Sequence, residues 1–579
     1  MTAFCHVQAT APKCYVLVAV KPTYDDWRAQ VEKELAGAPF EKLVTRAEGL
    51  AIQPLYTERV DPGVPGLAPF VRGATATAAP FELCMRSGDR DAIADDLAGG
   101  TDALWFADGD RASLEAALGH KLGIVMDVAG TPRIEHFKAV MNARRAWLGV
   151  DPIGELWAGE LEASALPRQL NEVSAFARRI AEQRASGMLG APDHHVRPVR
   201  ISSVAFHAAG ADAADELALI LATGVAYLRA LAREGLDDAA AARSLWVQIA
   251  VGRDTFGELC KLRALRLVWW KLLAAAGVTE VGLDAIHAVC SPRTLSVRDP
   301  WINMLRVTTE VFAAVLGGAQ LVTPAAFDEA FGLPSALGRR TARNTALVLR
   351  EESHLGRVLD AGGGSYYLEA RTESLAREAW SRFQAIERDG GIVAAIKNGS
   401  LRQRLEATWT ERAAAIAVRK IPVLGTSEFA NPSEKLPAPL PTTAGSGHRD
   451  GEAFEALRAK VEGSRDVVLV TLGSPAEYRG RLGYAQAFFA TAGLATREGG
   501  ELTPAGPHAI AVICGSDERN AIEAAPRATE LRAAGYTQIV LAGRPGALEK
   551  PLKAAGVDQF IFVGCDVIAT LSALTGGAA

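Results

Sequence analysis

From about residue 100 onward, short apolar runs alternate with longer stretches in which apolar residues recur every three or four positions. That is the pattern of strands joined by helical crossovers in a parallel sheet. Strands are expected at Ala103–Phe106, Leu122–Met126, Arg200–Ala205, Trp246–Ile249, Gly282–Ile286 and Ala319–Val322, and helices over 133–147, 170–186, 212–233, 255–276, 300–316 and 335–352. Fewer than eight repeats can be read, so the pattern supports a βα barrel without closing it. Upstream, Trp27, Val31 and Leu35 recur at spacings of four and predict an amphipathic helix over 23–36. The rhythm breaks between 421 and 450, where Pro432, Pro437, Pro439 and Pro441 adjoin Thr442–Gly447, a stiff and then flexible linker. Beyond it, Val467–Leu472, Ala509–Ile513, Gln538–Leu541 and Gln559–Val563 read as buried strands, each followed by a helical segment, as in an open doubly wound sheet.

Composition narrows the function. The 579 residues, 49% of them hydrophobic, can bury several cores, which suggests two to four domains. A formal charge of -5 without a long basic run gives no footprint for nucleic acid and points to a small molecule or a protein partner. Seven cysteines without close pairing read as free thiols of a reducing compartment. The apolar run Cys14–Val20 lacks a basic region before it and a cleavage signature after it, and nothing reaches the length of a membrane span, so the cytoplasm is expected. The neighbours His194 and His195 cannot share one face and have no carboxylate at zinc spacing, so no metal site is expected. Gly362–Ser365 lacks the Lys-Ser/Thr and the helix start of a phosphate loop and reads as a tight turn.

The candidate chemistry gathers at Pro198–Leu217. An apolar run delivers His207 at its end and turns at once into a helix whose first turns hold Asp212, Asp215 and Glu216. Strand ends at the carboxyl face of a βα barrel line the active site, so His207 is the candidate catalytic residue; a capping or core histidine is the other reading.

That stretch, with Leu245–Gly252 and Thr255–Ala264, resembles the barrel domain of the methylmalonyl-CoA mutase family. The likeness continues through Asp299–Asn303, Phe327–Pro334, Ala342–Thr345, Glu351–Ser353 and Asp360–Glu369. It implies an α/β chain in which a (β/α)8 TIM-type barrel precedes a flavodoxin-like doubly wound domain of cobalamin-binding type. The expected division is an arm over 1–70, the barrel over 71–420, a linker over 421–455 and the cobalamin-binding-like domain over 456–579. Members rearrange acyl-CoA thioesters with adenosylcobalamin, whose cobalt takes the imidazole of an Asp-x-His-x-x-Gly motif after the first strand of that domain. Here Pro475 stands in the aspartate's place and Glu477 in the histidine's, with Gly480 retained. A carboxylate is a harder ligand, and proline cannot orient it through its side chain. Gly515-Ser516-Asp517 and Ala542-Gly543-Arg544 also depart from the family's pattern around the cofactor's tail.

The barrel departs as well. Catalytic relatives carry Tyr-His where this chain has Phe206-His207, the stretch after Arg72-Gly73 is Ala74–Pro80 rather than aromatic, and 150–198 is too short for the substrate-contacting section. The resemblance therefore implies a degenerate module with no cofactor-binding residues and a vestigial role for His207. It points to the small (beta), non-catalytic subunit of a heterodimeric mutase that interconverts (R)-methylmalonyl-CoA and succinyl-CoA. Val423–Asn431 resembles the linker of small subunits. A catalytic large (alpha) subunit is the expected partner and would bind adenosylcobalamin and most of the acyl-CoA; the N-terminal arm would either embrace it or pack on its own domain. A divergent active mutase using His207, and an accessory mutase-binding module, are the alternatives.

Overall fold

The computed structural model describes residues 23–107, 111–117, 120, 122–130, 143–187, 195–436, 447–461, 466–499 and 509–576. The run Cys14–Val20, most of the helix expected over 133–147, His194 and the prolines of 437–446 lie outside the described residues.

Residues 23–59 form a unit of their own. Its helix Tyr24–Glu34 opens on a capping box, in which the Asp26 carboxylate accepts from the Thr23 N–H at 2.8 Å while the Asp26 N–H donates to the Thr23 hydroxyl at 3.2 Å. Trp27 meets the buried Phe40 edge-on, with ring centres 6.0 Å apart. Strands β1 (Thr45–Ala47) and β2 (Leu50–Ile52) form an antiparallel hairpin, and its two-residue turn is served by Glu48 at φ 50° and Gly49 at φ 80°.

Eight parallel strands then close a barrel in chain order: β3 (Glu82–Arg86), β4 (Ala103–Phe106), β5 (Gly123–Val128), β6 (Arg145–Val150), β7 (His195–Ser202), β8 (Leu245–Val251), β9 (Ile286–Cys290) and β10 (Leu321–Thr323), with β10 pairing back to β3. Helices Leu166–Ala185, Ala213–Arg233, Thr255–Ala275, Ile302–Leu316 and Ala336–Leu347 lie where periodicity places them. Four details differ. The segment Gly282–Ile286 is a strand only from Ile286, and residues 145–147, expected to be helical, begin β6. β7 ends at Ser202, and the one-turn helix Val204–Ala208 takes over the rest of the expected strand. The turn Gly362–Ser365 does lead into a helix, Tyr366–Arg388, which Ser365 caps.

The barrel's interior is packed from side to side. Cys84, Val125, Trp147, Trp246 and Leu321, from five different strands, form one buried cluster with Trp105 against it. Trp246 donates its indole N–H to the Leu148 carbonyl at 2.8 Å. His287 stacks on Trp246, stands edge-on to Trp105 and shares a 2.7 Å hydrogen bond with the Thr323 hydroxyl.

The second sheet comprises β11 (Val467–Thr471), β12 (Thr496–Glu498), β13 (Ile510–Cys514), β14 (Gln538–Ala542) and β15 (Gln559–Ile561). Its order is β12-β11-β13-β14-β15 with every pair parallel, the flavodoxin-like winding. Alternate residues feed two cores: Val467 and Leu469 pack with Phe488 and Phe489, while Val468 and Val470 pack with Leu531 and Tyr536.

Candidate functional site at the barrel mouth and the sheet edge

His207 sits in the one-turn helix beyond β7, and only 2% of it is exposed. Its Nδ1 lies 2.9 Å from Glu216 Oε1 and its Nε2 2.7 Å from the Ser291 hydroxyl. Glu216 is the hub of this cluster. It accepts from the Ser203 hydroxyl at 2.7 Å and from the Lys261 ammonium at 2.9 Å. Lys261 reaches on to Glu258 at 2.6 Å and to the Ala250 carbonyl at 2.8 Å.

Burial would raise the Glu216 carboxyl, but Lys261 first, then His207 and Ser203, outweigh it and hold it at about 2. Burial and the charge of Arg293 push the His207 ring down to about 4 against the pull of Glu216. The imidazole is therefore neutral near pH 7 and carries one N–H. Because ionised Glu216 only accepts, that proton belongs on Nδ1, and Nε2 accepts from the Ser291 hydroxyl. Neither ring nitrogen is left to donate to a substrate carbonyl. Phe206, the other half of the motif, is buried against Trp157. Asp212 caps the helix Ala213–Arg233, and Arg382 binds both Asp212 and Asp215.

Above this cluster the mouth holds a cavity of about 1000 Å³, bordered by Arg86, Trp105, Asp127, Arg200, His207 and Gln248 among others. Two pairs of its charged groups neutralise each other: Asp127 accepts from Arg200, and from the Trp105 indole at 2.9 Å, and Arg86 binds Glu329 at 2.8 Å. Below it the packed barrel interior begins.

At the second sheet, Pro475 is the first residue of the helix Pro475–Ala490, directly after the N-cap Ser474. Glu477 occupies the third helical position. One of its oxygens accepts from the Ser474 N–H at 2.8 Å and the Ser474 hydroxyl at 2.7 Å, and the other accepts from Arg519 Nε at 2.8 Å. These bonds, Arg519's foremost, hold its carboxyl at about 2. Gly480 lies on the same helix with open space where a Cβ would point. Across the strand ends, Arg481 donates to the Ala542 carbonyl at 2.7 Å and pairs with Asp517 at 2.7 Å. Its guanidinium lies over Gly543 so closely that a Cβ there would stand 2.2 Å from Nη1. Arg544 is drawn aside over the Phe562 ring at 4.8 Å.

Sequence reading singled out His207, Pro475, Glu477 and Gly480 as candidates; it did not pair them with Ser291, Lys261, Arg481 or Arg519, which come from distant elements. It took Glu216 for a helix-dipole acid when Glu216 is the centre of the buried cluster.

The chain matches the family model described as methylmalonyl-CoA mutase over residues 189–471. The "Methylmalonyl-CoA mutase small subunit" of Streptomyces virginiae is 35% identical, over 95% of this chain and 96% of that protein. The "Probable methylmalonyl-CoA mutase small subunit" of Mycobacterium tuberculosis is 34% identical, over 91% of each chain. The protein named "Methylmalonyl-CoA mutase small subunit" in Propionibacterium freudenreichii subsp. shermanii is 32% identical, over 95% of this chain and 94% of its own.

Proposed function

The chain belongs to the methylmalonyl-CoA mutase family, and on that footing we propose that it is the small, non-catalytic subunit of a heterodimeric, adenosylcobalamin-dependent mutase. Its catalytic large subunit binds the cofactor and the acyl-CoA. The complex interconverts (R)-methylmalonyl-CoA and succinyl-CoA by radical rearrangement.

The observation that carries this reading is the engagement of Glu477. The loop does not fit an imidazole-ligated corrin. Both carboxylate oxygens of Glu477 are taken by Ser474 and Arg519, Pro475 offers no orienting acceptor, and Arg481 fills the approach over Gly543. Residues 466–499 and 509–576 contain no histidine. The barrel supports the same assignment through the buried cluster of Trp147, Trp246 and Cys84 that fills its interior. His207 serves structure, its ring being spent on Glu216 and Ser291. The buried free thiols Cys84, Cys260, Cys290, Cys514 and Cys565 suit a reducing cytoplasm. No helix among the described residues is long and apolar enough to cross a membrane.

Gel filtration of the full chain with adenosylcobalamin, alone and with its large partner, tests the proposal. Corrin absorbance is expected to travel only with the complex. Stoichiometric corrin on the lone chain, or turnover by it, would overturn the assignment.

A further inference from the structure

The four residues Gly447–Asp450, which lead into the second sheet's domain, cross the rim of the barrel mouth, and each is pinned there. Gly447 passes so close to Ala208 that a Cβ on it would lie 2.8 Å from the Ala208 Cβ. The His448 N–H donates to the Ala208 carbonyl at 2.9 Å, and its ring lies flat on Trp409 with centres 4.2 Å apart and planes 9° from parallel. Arg449 reaches the Leu295 carbonyl at 3.4 Å and Glu455 at 2.5 Å. The Asp450 N–H donates to the Arg293 carbonyl at 2.9 Å.

The Asp450 carboxylate is fully enclosed. It takes two bonds from Arg412, at 2.8 and 2.9 Å, and Arg253 lies 3.0 Å away. The helix that follows, Glu452–Lys460, faces both ways. Phe454 and Leu457 belong to the core of the second sheet, while Glu455 accepts from the Ser296 hydroxyl at 3.0 Å and the Val297 N–H at 2.9 Å. The receiving loops, after β7 and β9, are themselves tied together by the bond between His207 and Ser291.

We propose that Gly447–Asp450 is a latch that locks the second sheet's domain onto the mouth of the barrel, so that the two move as one body. The ground is the convergence of Ala208, Arg293, Trp409 and Arg412, from three separate parts of the barrel domain, on four consecutive residues. A buried carboxylate held by two arginines cannot be withdrawn without stranding their charges, so the latch does not slide open by small steps. This reading is independent of the subunit assignment, since it concerns how two parts of one chain are joined.

Hydrogen exchange on the full chain tests it at the amides of His448 and Asp450. Both are expected to exchange slowly in the wild type. In Asp450→Asn they should exchange faster by roughly tenfold or more, while amides of β11 and β13 keep their rates. Gly447→Ala should do the same without touching a charge, and it supplies the answer if the first variant fails to fold. Small-angle scattering of either variant should show a larger radius of gyration than the wild type. The latch is refuted by fast exchange of both amides in the wild type, by variants that leave them unchanged, or by acceleration shared equally with β11 and β13.

Discussion

A neutral imidazole wedged between an ionised carboxylate and a hydroxyl is held by both of its nitrogens, and His207 is such a residue. The cluster's stability rests on Lys261, the buried cation nearest to Glu216. Replacing it by methionine leaves a fully enclosed carboxylate without its counter-charge, a loss expected to cost about 3–5 kcal/mol, readable as a lowered urea midpoint. His207→Ala tests a different property. If the ring serves only to join Glu216 to Ser291, turnover of the reconstituted mutase complex should stay within about tenfold of wild type while the thermal midpoint drops. A fall in turnover on the order of 10²-fold, the scale of a removed electrostatic donor, would return His207 to the chemistry.

Among the elements, the helix Pro475–Ala490 has an ordinary, well-capped start. Proline at the first position, a serine cap and a glutamate at the third position satisfy the exposed N–H groups that a looser loop would leave for other partners. Glu477→His alone is therefore expected to gain no cobalamin, because Pro475 and the Arg481 over Gly543 remain; equilibrium dialysis against hydroxocobalamin checks this, and tight binding would mean the crevice is open after all. The elements also differ in how readable they were. β11, β13 and β14 are buried on both faces and stand out as apolar runs. β3 escaped notice because its apolar run is only Leu83–Met85 between the charged ends Glu82 and Arg86, and the start of β6 falls inside the helix expected over 133–147; Glu82 and Arg145, the first residues of the two strands, pair at 2.6 Å. At Gly282–Ile286, Leu283 and Ala285 are buried outside any strand, so hydrophobicity placed the strand four residues early. For the site, motif reading could locate His207 and Glu477 but could not supply their partners. Ser291 lies 84 positions from His207, and Arg519 lies 42 from Glu477, distances that only the closed barrel and the wound sheet bring together.

For the whole molecule, buried titrating groups pull stability in opposite directions as pH changes. Burial, reinforced by nearby arginines, holds His207 at about 4 and His287 at about 3, below the ~6.5 of a free imidazole. Between pH 6.5 and 4 the unfolded chain thus binds more protons than the native one, and stability is lost as pH falls, by about 1 kcal/mol per pH unit for each histidine. Asp450 and Glu216, both held at about 2, add their losses only below pH 4 or so. Glu310 acts with the opposite sign. Burial, with Glu258's charge adding to it, pushes its carboxyl up to about 8, so the native state keeps a proton that the unfolded chain releases near pH 4.5. Its contribution declines as pH rises from 4.5 to 8, and the wild-type slope across that span is the difference between histidine loss and Glu310 gain. Glu310→Gln removes the opposing part while keeping an acceptor for the Thr294 hydroxyl, which now donates to Glu310 at 2.6 Å. Urea midpoints of the variant should therefore fall more steeply than wild type between pH 6.5 and 4.5, and its advantage over wild type should be greatest at pH 8. Parallel wild-type and variant curves would show that Glu310 is ionised in the native state and that the acid limb belongs to other groups.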